Sequence, residues 1–196
     1  MGKSDVLVMP RREFIASASF LALGGRLFGM PSFSPQSVQE AQELKEELAP
    51  EELELIEKSV MAQNLKNYFH EGYSCAESIL LVSLEFLEKP KDLVWAASGF
   101  GGGLYHKDLC GFLTGGIMAI GLSAGMLKKK REEGKEFCKQ AVKEYWKWWD
   151  SMAPLHCSEI RKKGTSPKVC TRIGQLASVK IEELIKPART LSDVGI

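Results

Sequence analysis

No C-x-x-C occurs anywhere in the 196 residues, although the chain has five cysteines. That leaves zinc knuckles and thioredoxin-type dithiols without support. No C-x-x-C-H occurs either, so no covalent haem is expected. An excess of one charge is also lacking: 26 Lys and Arg stand against 25 Asp and Glu, a formal net charge of +1. Nucleic-acid binding usually needs a basic stripe and a high isoelectric point, so no nucleic-acid partner is expected. No alternating apolar–polar run marks a strand, and internal repeats and low-complexity tracts are missing. No paired-carboxylate or Ser-His-Asp arrangement has a spacing that supports catalysis. Five cysteines fall far below the density of a disulfide scaffold, so each thiol needs its own explanation.

What is present is ordinary for a globular chain: 44% apolar and 26% charged residues. The length suits one domain with enough core to fold without staples. Residues 1–30 read as a separate segment. Arg11-Arg12-Glu13-Phe14-Ile15 precedes a weakly apolar run, Ala16 to Leu23, closed by Gly24-Gly25. A basic stretch before a short apolar one is a secretory pattern, too short to span a bilayer. The paired arginines resemble a bacterial twin-arginine signal. Pro10 and Ala16 depart from the usual residues, and cleavage is expected within 26–36. Such a signal implies export of an already folded protein, commonly with a metal cofactor in place, to the periplasm. Residues 31–50 form an acidic spacer, with Glu40, Glu43, Glu46 and Glu47 on a solvated helix.

Residues 51–196 read as an all-α domain, a helical bundle of five or six helices. Leu53, Ile56 and Val60, then Met61, Leu65 and Tyr68, recur at helical steps up to Gly72. Ser74 caps the next helix, with Glu77 three residues on, and that helix runs almost wholly apolar from Cys75 to Leu87. A short helix covers Lys91 to Ser98. A fourth starts near Cys110. A fifth, from about Arg131 to Met152, carries Cys138, Val142, Tyr145, Trp149 and Met152 on one stripe. A sixth runs from about Cys170 to Ile185 and is expected to stop at Pro187. The uncharged run Leu109 to Leu127 has the length of a membrane span. Its five glycines favour a buried helix instead, and no membrane span is expected at 109–127. Gly111 and Gly115, and Gly121 and Gly125, are spaced for close helix approach, within the bundle or across a homodimer contact.

Cys75, Cys110 and Cys170 fall at or near helix starts, where unpaired amides and the helix dipole favour thiolates. Cys157 lies in an irregular segment beside His156. Spacing alone leaves a redox or metal site and plain buried thiols equally open. Gly101, Gly102 and Gly103 form a loop with no strand before it and no phosphate-loop Lys, so its use is backbone freedom. Its amides would suit a cluster sulfide as hydrogen-bond acceptor. His70, His106 and His156 are weaker ligand candidates. Tyr145-Trp146-Lys147-Trp148-Trp149 reads mainly as packing, and Arg161-Lys162-Lys163 as solvated charge.

Taken in order, Gly-Tyr-Ser-Cys75-Ala-Glu, Gly-Phe-Gly-Gly-Gly-Leu, Leu-Cys110-Gly-Phe-Leu-Thr-Gly-Gly, Cys157 and Cys170 resemble the C_GCAxxG_C_C family of redox-active proteins. The resemblance covers roughly residues 60–185. That family is similar to the iron–sulfur part of split-Soret cytochromes, whose added haem motifs this chain lacks. The resemblance implies that Cys75, Cys110, Cys157 and Cys170 are the metal ligands of an iron–sulfur cluster, while Cys138 matches no family cysteine. Phe112 stands where the family usually has Ala, which leaves open how closely the neighbouring helix approaches. The expected function is redox or electron transfer with a redox partner protein. The rivals are a thiol–disulfide protein with two cysteine pairs and a non-redox structural or zinc-binding module.

Overall fold

The computed structural model describes residues 44–127 and 130–192, so the signal segment 1–30 and most of the acidic spacer 31–50 lie outside the described residues. Seven α-helices follow in order: α1 (Pro50–Lys58), α2 (Val60–His70), α3 (Cys75–Phe86), α4 (Gly111–Leu127), α5 (Arg131–Met152), α6 (Cys157–Ile160) and α7 (Pro167–Ser192). A 3₁₀ segment, Lys91–Phe100, and a tight coil, Gly103–Lys107, join α3 to α4. The fold is all-α. The extended pairing among the described residues is one isolated antiparallel bridge, Leu109 to His156.

α3 and α4 are apolar nearly all round and form the centre. α7 packs against both and against α2, and α5 covers another side of α4. The core runs through Leu65, Ile79, Leu84, Phe112, Ile120, Tyr145, Trp149 and Ile173, each under 2% exposed. The α5 stripe turns Tyr145 and Trp149 inward. The Tyr145 hydroxyl donates to the Phe112 carbonyl at 3.1 Å. The Ser74–Glu77 capping box forms as the sequence suggests: Ser74 N–H donates to the Glu77 carboxylate at 2.9 Å, and Glu77 N–H to Ser74 Oγ at 3.3 Å. Of the described helices, none is long and apolar enough to cross a membrane.

Two helix boundaries differ from the sequence expectation. The first amphipathic stretch is two helices, because Ser59 is extended and caps α2 through its side chain. Glu182 of α7 holds the break: its carboxylate accepts from Ser59 Oγ at 2.6 Å and from Met61 N–H at 2.9 Å. α7 does not stop at Pro187 but continues to Ser192. Ile181, Ile185 and Ala188 are buried on both sides of the proline, so tertiary packing holds the helix through it.

Candidate functional site: a thiol cavity at four helix starts

Each of the four motif cysteines stands at the start of a helix. Cys75 is the first residue of α3, and Cys157 is the first of α6. Cys157 was expected in irregular chain; the structure places it in a four-residue helix whose N-cap residue, His156, donates its backbone N–H to the Glu159 carboxylate at 3.4 Å. Cys110 immediately precedes α4 and accepts the Thr114 N–H at 3.1 Å through its carbonyl. Cys170 lies in the first turn of α7, just past Ser166, which accepts the Lys168 N–H at 3.2 Å. Two further backbone bonds tie two of these starts together. Cys110 N–H donates to the Leu155 carbonyl at 2.8 Å, and Cys157 N–H to the Asp108 carbonyl at 2.7 Å. They flank the Leu109–His156 bridge and bring residues 47 apart in sequence to the same spot.

The four starts open on one cavity of about 140 Å³, lined by Cys75, Cys110, Cys157 and Cys170. Phe69, Phe112, Ile160 and Ile173 supply an apolar wall, and Ser74, Gly102 and Arg161 complete the lining. An apolar wall excludes water, and a volume of this order holds a compact group rather than a single ion. No group of three or more His, Cys, Asp or Glu among the described residues is close enough to hold one metal ion. The four cysteines share the lining of this one cavity. Cys138, half-buried in the middle of α5, does not line the cavity.

The glycine loop closes one side. Gly102 and Gly103 adopt left-handed backbone, and so do Leu104, Tyr105 and Lys107, at φ 56°, 57° and 59°. A non-glycine residue in that region costs roughly 1–2 kcal/mol. The strain is held by a close approach at Gly103, where a Cβ would stand 2.5 Å from the Asp108 carbonyl oxygen and 2.8 Å from Cys157 Cβ. Of the three loop glycines read as cofactor contacts, Gly102 lines the cavity. Gly101 packs on Ser74 behind it, and Gly103 packs on Asp108 and Cys157. Across the cavity, a Cβ on Gly111 would overlap the Cys75 sulfur and lie 3.0 Å from Ala76 N. Phe112 does not push the next helix away. Its ring fills the space left by Gly174 of α7, where a Cβ would be 2.6 Å from the ring.

The helix starts do not make Cys110 and Cys170 acidic, although the sequence had suggested thiolates there. Burial pushes the Cys110 thiol well above its usual range, and the nearby Cys75 adds to that. The Phe112 and Leu113 amides donate to Cys110 and oppose the rise without cancelling it. Burial also raises Cys157, with Cys75 reinforcing it and the charges of Arg161 and Lys107 opposing. Cys170 is pushed up to about 11, again mainly by burial, with Arg161 acting the other way. Desolvation outweighs the helix ends because it acts on the whole ionised sulfur. A metal that takes these sulfurs as thiolates must release their protons.

The histidines stand apart from the cavity. His156 Nδ1 pairs with Asp108 Oδ1 at 2.9 Å on the exposed side of the bridge, and His70 and His106 are exposed. The apolar lining was not singled out in the sequence. Phe69, Ile160 and Ile173 drew no reading of their own, Phe112 entered only as a departure from the family pattern, and Arg161 was read as solvated charge. Their proximity to a thiol in sequence was the available signal: Ile160 and Ile173 each lie three residues from a motif cysteine.

Among curated proteins and among solved structures, none matches this chain. A family model described as "Putative redox-active protein (C_GCAxxG_C_C)" matches residues 73–184. The match takes in all four cavity cysteines and the glycine loop, and it spans more than half of the chain. The chain therefore belongs to the C_GCAxxG_C_C family of redox-active proteins.

Proposed function

We propose that this redox-active protein is an electron-transfer protein that holds an iron–sulfur cluster through Cys75, Cys110, Cys157 and Cys170. The observation that carries the reading is that these four thiols line one cavity while the fifth, Cys138, does not. Four thiolates are the usual complement of a [2Fe–2S] or [4Fe–4S] cluster, which supplies one-electron chemistry when bound. The cavity, about 140 Å³, has room for a multi-iron group. Phe69, Phe112, Ile160 and Ile173 keep water from the sulfurs. The Phe112 and Leu113 amides donate to Cys110, and bonds of this kind tune the potential of a bound cluster. Arg161 offsets the negative charge of the thiolates.

The Arg11-Arg12 pair supports export of the folded, loaded protein to the periplasm by the twin-arginine route. Replacing both arginines by lysine is expected to retain the protein inside the cell, and unchanged export would remove this part of the reading.

Anaerobic purification with iron, acid-labile sulfide and zinc quantified, alongside a visible spectrum, tests the cluster. Iron and sulfide in near-equal amounts with sulfur-to-iron charge-transfer absorption are expected. An iron-free protein with two disulfides by mass spectrometry would replace the reading with a thiol–disulfide one. Stoichiometric zinc would make the site structural.

A further inference from the structure

The chain from the end of α6 into the first turn of α7, between Cys157 and Cys170, carries four cations near the cavity. Arg161 lines the cavity and caps α6 at its C-terminal end, its N–H donating to the Cys157 carbonyl at 2.8 Å. Lys162 and Lys163 follow in the exposed turn toward α7, and Lys168 stands exposed in the first turn of α7. Lys107, exposed on the left-handed loop opposite, is close enough for its charge to act on Cys157. Among the described residues, none of these five cations has a carboxylate within 4 Å. Two carboxylates stand among them. Asp108 pairs with His156, and Glu159 accepts the His156 N–H. The chain between Cys157 and Cys170, with Lys107 opposite, thus sets five exposed cations against the two carboxylates Asp108 and Glu159 beside the cavity.

An aromatic anchor stands beside it. Tyr105 is 73% exposed on the strained loop, and its hydroxyl reaches back over Gly101. Strained backbone clusters at ligand clamps and functional sites, and Tyr and Arg are enriched at binding hot spots. Electron-transfer encounters are small and weak, and opposite charge on the two partners steers them together.

We propose that this basic rim of Lys107, Arg161, Lys162, Lys163 and Lys168, with Tyr105 at its edge, is the docking surface for an acidic electron-transfer protein. The proposal rests on the electron-transfer reading above and adds to it where the partner binds and which charge it carries. Carboxylates on the partner would face the lysines, which brings its redox centre to the side of the cavity that Arg161 lines.

The probe is a small acidic [2Fe–2S] ferredoxin, with a basic cytochrome c as the control, titrated against the full chain at 50 and 200 mM salt. The expected results are binding of the ferredoxin and not of the cytochrome, with affinity falling at least about tenfold between the two salt concentrations, as screening of exposed charges requires. The double variant Lys162→Glu with Lys163→Glu lies in the exposed turn and outside the cavity. It is expected to bind at least about tenfold more weakly at 50 mM salt, while its helical circular dichroism stays unchanged. Lys162→Arg with Lys163→Arg keeps the charge and is expected to bind like the parent chain. Equal ferredoxin binding by the charge-reversed variant would overturn the proposal. So would preference for the cytochrome, or retention by the rim of duplex DNA, anionic vesicles or inorganic phosphate but not ferredoxin. The titration is run on iron-free and iron-loaded chain alike. A chain that never takes up iron overturns the cluster reading, whereas the binding result on that same chain still decides the surface.

Discussion

The two ends of α4 carry the same residue for opposite reasons. At the cavity end, Gly111, Gly115 and Gly116 are crowded. A Cβ on Gly111 would overlap the Cys75 sulfur, one on Gly115 would stand 2.6 Å from the Ala76 carbonyl oxygen, and one on Gly116 would stand 2.8 Å from the Tyr145 ring. At the far end, Gly121 and Gly125 are exposed, and nothing lies within 4 Å of where their Cβ would be. The spacing along the chain is alike, but only the first set is used inside the fold. At that end the backbones of α3 and α4 come close enough for Cys75 and Cys110 to share one cavity. Close packing at this helix end is thus a condition of the site, whereas the far end is free of it.

The sharpest break of this contrast is Gly111→Ala. Overpacking against backbone and a fixed sulfur is expected to cost about 3 kcal/mol, at the upper end of the usual range, and to displace Cys75. Chemical denaturation of the iron-free chain measures the cost, and a stability within 0.5 kcal/mol of the parent, roughly the noise of surface substitutions, would mean the helices can part without consequence. A second test uses pH. Cys110, Cys157 and Cys170 all have folded pKa values raised above the unfolded thiol, Cys170 from 9.0 to about 11. A group of this kind stabilises the fold while it is protonated. Its contribution is complete below the unfolded value and is lost as pH rises through the folded one. The iron-free chain is therefore expected to lose stability between about pH 9 and about pH 11. The triple variant with serine at 110, 157 and 170 is expected to show a flatter profile over that window. Iron loading should run the other way, tightening as pH rises, because uptake releases the thiol protons.

Smaller effects sharpen the same comparison. Tyr145→Phe removes a buried hydroxyl from the Phe112 carbonyl and is expected to cost about 1 kcal/mol. Gly121→Ala and Gly125→Ala are each expected to stabilise by about 0.5–1 kcal/mol, because open helix positions favour Ala over Gly. If instead they destabilise and gel filtration shows a dimer dissociating, the far end of α4 is the face of a contact with a second copy.

Much of this was legible in the residues. Helical periodicity places α2, α3 and α5, and the Ser74–Glu77 pair marks the start of α3 from chemistry alone. The cysteines could be sorted into four and one because order and spacing match a family pattern, not because the thiols announce a cavity. The Ser59 break could not be read, since it depends on Glu182, more than 120 residues away. α7 runs through Pro187 because of tertiary packing that no local propensity encodes. The direction of the thiol pKa values also had to come from the fold. Helix-start position argued for thiolates, but burial is a property of what the other helices bring to the same place. Arg161 looked like one more solvated cation, and its place in the cavity lining appears only when the end of α6 is brought near Cys170.

The central claim is that the four cavity thiols act together and the fifth does not. Per-variant iron content, with absorbance in the charge-transfer region, measured on Cys→Ser at 75, 110, 138, 157 and 170, tests it most directly. The account predicts loss or degradation of the bound cluster in the variants at 75, 110, 157 and 170, and full iron content in Cys138→Ser, which pays only a packing cost of about 1 kcal/mol. Bleaching by Cys138→Ser alone, or full iron content in all four cavity variants, would contradict it.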